Sequence, residues 1–147
     1  MSNKLQSFIP EKVQREIIGI AHPEVIQPVY RVAKEGGVSA SLLQSTYEEF
    51  PNRFPDDFPG KYSTSVYDVM DSCERFIQSL KGRIRKKYPH PIIVKGSTKG
   101  GLSAYTREYD KSYRDEHHID WWIFEGQREN ALLNFEEYTA NEKSVDN

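Results

Sequence analysis

The sequence predicts an α+β domain: a small mixed or antiparallel sheet with a long amphipathic helix, about residues 65–88, packed on it. Three observations carry that expectation. Apolar residues recur at three and four from Val66 through Val69, Met70, Cys73, Phe76, Ile77 and Leu80 to Ile84, the stripe of a helix lying on a core. Short runs around Tyr30, Ile93 and Trp121 alternate or are continuously apolar, and the first two close on glycines. The chain has 147 residues, 12% of them aromatic, which is enough for one core rich in Tyr, Phe and Trp. Residues 1–147 are therefore read as a single domain, with about 1–8 and 139–147 expected to fray.

Each element follows from local chemistry. Val13, Ile17 and Ile20 fall at helical spacing after Pro10, and His22-Pro23 ends that helix. Val29 to Val32 alternates as a short strand closed by Gly36-Gly37, with Arg31 on the face opposite Tyr30. Ser41 with Gln44 reads as a capping box for a short helix whose apolar side is Leu42, Leu43, Tyr47 and Phe50. Pro51, Pro55 and Pro59 then exclude regular structure, leaving a loop anchored by Phe54 and Phe58. Ser65 caps the long helix with Asp68 in the reciprocal position, and Pro89 terminates it. Ile92 to Gly96 is a buried strand, and residues 97–116 read as a long polar loop. The final strand places His118, Asp120, Trp122 and Phe124 on one face, and Ile119, Trp121, Ile123 and Glu125 on the other. A short helix follows within residues 129–138.

One cysteine, Cys73, excludes an internal disulfide and a cysteine-rich metal cluster, and suits a reducing compartment. No apolar run approaches the roughly 18 residues of a membrane span, and residues 1–17 lack the apolar centre of a secretory signal. A cytoplasmic protein without a membrane partner is expected. The net charge of -2 conceals an asymmetry. Lys81, Arg83, Arg85, Lys86, Lys87, Lys95, Lys99, Arg107, Lys111 and Arg114 stand against Glu108 and Asp110, a local balance of +8. Such clustering points to an anionic macromolecule, nucleic acid or an acidic protein, at one face. Alternatively, the cations near residue 87 answer the dipole at a helix C-terminus.

Several short patterns bear on chemistry. "KGSTKGG", residues 95–101, offers backbone amides with Lys95 and Lys99 to a phosphate, but lacks the spacing of a P-loop. His118 and Asp120 share a strand face, which two ligands alone do not turn into a metal site, so no metal is assigned; a His-Asp hydrogen bond on an edge strand is the preferred reading. Tyr105, Tyr109 and Tyr113 step by four among Arg107, Lys111 and Arg114, giving single-stranded nucleic acid both stacking surface and charge. Tyrosines facing a core are the competing explanation.

The order of parts also suggests an enzyme. An arginine on an early strand (Arg31), a Ser63-Thr64-Ser65 strand leading into a helix, the "PIIVKG" strand and a late aromatic strand together resemble the arginine-serine-glutamate ADP-ribosyltransferases. The resemblance implies NAD as cofactor, with Arg31 on its pyrophosphate, Ser63 on the nicotinamide ribose, Thr64 buttressing the strand, and ADP-ribose passed to a macromolecular target. The family closes on Gln-x-Glu or Glu-x-Glu, whereas this chain has Glu125-Gly126-Gln127. Glu125 and Asp120 are therefore the carried-over candidates for the catalytic carboxylate, which would stabilise an oxocarbenium-like transition state.

Overall fold

The computed structural model describes residues 3–138. In chain order the elements are α1 (Glu11–Ile20), β1 (Val29–Ala33), α2 (Thr46–Glu49), a 3-10 turn (Pro59–Tyr62), β2 (Thr64–Tyr67), α3 (Met70–Ser79), α4 (Gly82–Lys86), β3 (Ile92–Gly96), β4 (Gly101–Tyr105), a second 3-10 turn (Thr106–Glu108), β5 (His118–Ile123), α5 (Arg128–Leu132) and β6 (Glu136–Glu137). The strands form one antiparallel sheet in the order β4-β5-β2-β1-β3-β6, an α+β architecture.

One face of this sheet carries Val29, Ala33, Val66, Val94, Ile119, Trp121 and Ile123, and buries them against Leu42, Leu43, Ala131 and Phe135. The opposite face is covered by two separate bodies. At the β4-β5 side, Ala104 and Trp122 meet Val13 and Ile17 of α1 together with Leu5, Ile9 and Tyr62. At the β1-β3 side, Val32 meets Cys73 of α3 and Tyr88, with Phe76, Ile77 and Leu80 packed around them. Between those bodies, polar side chains of β2 and β5 face inward.

The long helix expected over about 65–88 is not formed. Ser65 and Val66 belong to β2, in register with Asp120 and Ile119, and Val69 is still extended before α3 begins. A period of two through Val66 and a period of three to four beyond Met70 coincide over these few residues, so periodicity alone runs the two elements together. Ser65 is therefore a strand residue, not a cap; Asp68 instead accepts from the Tyr105 hydroxyl at 2.8 Å and lies 2.7 Å from His117 Nδ1. Leu80 leaves the helix, and Gly82 opens α4 at φ 65, a conformation that costs other residues about 1 kcal/mol.

Other local readings shift as well. The capping box belongs to Ser45 and Glu48, which open α2, rather than to Ser41 and Gln44. The polar stretch after Gly96 contains β4, whose Gly101 lies so close to the Trp122 carbonyl that no Cβ would fit. Both β2 and β5 are interior strands, so neither the Ser-Thr-Ser run nor the His118–Asp120 pair lies at an edge. Of the ends expected to fray, residues 139–147 lie outside the described residues. Residues 4–9 lie against the end of β5, with Leu5 buried and the Lys4 carbonyl accepting from the Glu125 amide. Among the described residues no helix is long and apolar enough to cross a membrane.

Candidate functional site: an aromatic hollow over the middle strands

β1 and β2 are neighbours that share a single register pair, Tyr30 with Tyr67. Beyond that pair the segment Leu42–Thr46 lies between them: the Thr64 hydroxyl donates to the Leu43 carbonyl at 2.8 Å, and the Thr46 amide to the Ser63 carbonyl. Arg31 closes the gap. Its Nε donates to the Leu42 carbonyl at 2.6 Å, Nη1 to the Ser65 carbonyl at 2.7 Å, and Nη2 to the Gln44 carbonyl at 3.1 Å and to Glu49 Oε1 at 2.9 Å. Glu49 also pairs with Lys34 at 2.5 Å. Four of the five guanidinium N–H donors are thereby committed inside the protein.

Asp120 is the second hub. Its carboxylate, 3% exposed, accepts from the Ser63 hydroxyl at 2.6 Å, from the Thr106 hydroxyl at 2.8 Å and from the Tyr109 hydroxyl. Burial, and then the Asp120 charge, raise the Tyr109 pKa, so the phenol stays protonated and donates. Thr106 Oγ1 also lies 2.5 Å from His118 Nδ1. A hydroxyl has one hydrogen, and here it goes to Asp120; the proton between Thr106 and His118 therefore sits on Nδ1. Desolvation lowers the His118 pKa, so the ring is neutral near pH 7 and its other nitrogen, Nε2, is a lone-pair acceptor.

His118 forms part of the wall of a hollow of about 210 Å³. Phe50, Phe54, Tyr67, Phe76, Tyr88 and Tyr113 supply six of its fourteen lining residues, with Arg31, Thr46, Glu49, Arg53 and Ser65 as further polar members. Tyr67 meets the His118 ring edge-on, with centroids 5.3 Å apart, and Tyr113 lies across it at 4.6 Å. A second groove shares Tyr67, Phe76 and Tyr113 with the hollow and extends past Arg75 and Arg114, with Asp110 and Asp115 also on its wall.

The cations predicted as one face separate into groups. Arg83, Arg85, Lys86 and Lys87 stand exposed on and just after α4, whose Ile84 lines the hollow. Lys87 Nζ is 4.4 Å from the Phe50 ring centre, and the Arg53 guanidinium is 5.4 Å from Phe50 and 5.7 Å from Phe54, so two cations stand at the aromatic wall. Lys111 and Arg114 are exposed, while Arg107 donates to the carbonyls of Tyr113 and Arg114. Lys95 lies 5.9 Å from the Tyr138 ring beside β6, and Lys99 lines a different cleft with Val25 and Leu133; neither borders the hollow. Tyr105 and Tyr109 spend their hydroxyls on Asp68 and Asp120, which leaves Tyr113 as the member of that series on the hollow's wall.

The residues carried over from the ADP-ribosyltransferase pattern are placed as follows. Arg31 reaches the hollow but is held by the contacts just described. Ser63 and Thr64 are 0% and 2% exposed, with hydroxyls committed to Asp120 and Leu43. Glu125 lies beyond the far end of β5, where hydrogen bonds from Ser7 hold its pKa below the usual carboxylate range. Ser63 and Asp120 do meet, but inside the core. The sequence reading missed Thr106, His118 as part of a relay, Tyr67, Glu49 and Arg53. Alternation within "GLSAYT" was the available signal for Thr106; nothing local marks Arg53. Among the described residues, no group of three or more His, Cys, Asp or Glu is placed to hold a metal. Comparison with family models, curated proteins and solved structures returns no match.

Proposed function

We propose that this protein is a binding module for single-stranded nucleic acid, taking phosphates on the α4 cations and one base in the aromatic hollow beside them. The observation that carries this reading is the adjacency of exposed Arg83, Lys86 and Lys87 to a wall of six aromatic rings, with Lys87 and Arg53 bridging the two. Stacking on aromatic rings contributes about 1–3 kcal/mol per base, and cationic rims track the backbone. Volume argues in the same direction. Pockets for drug-sized ligands run to about 300–1,000 Å³, so the 210 Å³ of the hollow itself suits one ring system, and a longer ligand would continue into the groove past Arg75 and Arg114.

Fluorescence anisotropy with a labelled single-stranded oligonucleotide tests the reading. With about four phosphates neutralised, the affinity should fall roughly 50-fold between about 50 and 200 mM salt. Reversing Lys86 and Lys87 to Glu should abolish most binding while leaving the melting temperature within a few degrees. No binding of any oligonucleotide at low salt ends this reading.

A second reading keeps NAD as ligand and ADP-ribosyl transfer as activity. What favours it is the presence of Arg31 on the wall of the same hollow. NAD-dependent stabilisation in a thermal shift experiment, with release of nicotinamide, would raise it above the first; an unchanged melting temperature with NAD in millimolar excess removes it.

A further inference from the structure

We propose that His118 gives the hollow a preference for a base that presents an N–H to it: Nε2 accepts from that group, the exocyclic amine in the case of adenine or cytosine, and Asp120 fixes the acceptor by holding the other side of the ring through Thr106. This inference rests on the nucleic-acid reading above and names the class of base that the site takes.

The geometry has three parts. Thr106 donates to Asp120 at 2.8 Å and so receives from His118 Nδ1 at 2.5 Å, which leaves Nε2 as the nitrogen without a hydrogen. The ring is clamped between Tyr67 and Tyr113, so it cannot turn to exchange its nitrogens without displacing both. Beyond its Nδ1 contact, the His118 side chain makes no further hydrogen bond among the described residues, although only 5% of the residue's surface is exposed and it lines the hollow. Nε2 is therefore the nitrogen that can accept an N–H from a ligand in the hollow. With the proton on Nδ1, the same relay disfavours a ring edge made only of acceptors, such as that of unsubstituted purine, because two lone pairs would then face each other.

The charged and titratable groups near His118 are Asp120, Asp115, Arg31, Tyr67 and Tyr113; the two carboxylates favour its protonated form, while Arg31 and burial oppose it. Acidification therefore converts Nε2 from acceptor to donor and removes the preference for an amine.

The test compares oligodeoxyadenylate with the same oligomer built from purine deoxyriboside, which stacks alike but lacks the amine. Wild-type protein at about pH 8 should bind the adenine oligomer roughly threefold to tenfold more tightly, the worth of one hydrogen bond. That ratio should collapse toward one in His118→Phe, with the salt dependence unchanged. Thr106→Val should lose the preference and Thr106→Ser should restore it. Equal affinity for the two oligomers at pH 8 overturns the role of His118 while leaving the nucleic-acid reading intact. Failure of both oligomers to bind at low salt overturns that reading as well. Retention of the preference in a folded His118→Phe protein also overturns the proposal.

Discussion

Arg31 donates to three main-chain carbonyls and to Glu49, with both side chains of the ion pair about nine-tenths buried. Replacing it by Met would leave those acceptors and a buried carboxylate without their cation, a loss of about 3–5 kcal/mol that urea denaturation would register as a lower midpoint. Sequence placed Arg31 correctly on a strand but not its use. A guanidinium suited to a diphosphate is equally suited to a cluster of carbonyls, and only the path of residues 42–46 decides between them. His118 makes a matching point about protons. Its folded pKa is depressed by burial, so the unfolded chain takes up the proton first as pH falls below about 6.5. The associated stability is complete above that pH and drains away between it and the folded-state value. In His118→Phe, the decline in melting temperature over that window should be shallower than in wild type.

Elements reveal where sequence logic holds and where two rules collide. β1, β3 and β5 were legible because β-branched and aromatic runs with Gly or Pro boundaries admit few other readings. The junction at Val66 to Met70 was not, since a strand ending and a helix beginning share apolar residues at spacings compatible with either. β4 was masked by its polarity: Ser103 and Gly101 suit a strand pressed against Trp121 and Trp122 only once β5 is beside it. Gly101→Ala would drive a methyl into the Trp122 carbonyl and Ile123 backbone. Circular dichroism should show the protein poorly folded or its melting temperature lowered by more than 10 °C, consistent with several kcal/mol of strain in a domain of this size.

At the scale of the whole molecule, the hollow exists because the face that bears it is covered by two bodies rather than one. The body built on α3 was legible as the apolar stripe of Cys73, Phe76, Ile77 and Leu80, whereas the other was not, since the N-terminal stretch, α1 and Tyr62 join only in three dimensions. Cys73 lies in the smaller cluster, and burial raises its thiol pKa to about 12. Its alkylation should therefore be negligible in the native protein at pH 8 and should follow global unfolding in urea, with the same midpoint as tryptophan fluorescence.

The meagre ladder between β1 and β2 has a mechanical corollary. The sheet is two three-stranded ribbons joined along a seam by one register pair and a guanidinium. Val32 lies on one side of that seam and Ser65, Tyr67 and His118 on the other, yet all line the same hollow. A guest held there is a rivet across the join. Amide protons along β1 and β2 should therefore exchange with deuterium more slowly once the guest is in place, while those in the β4-β5 pair keep their pace.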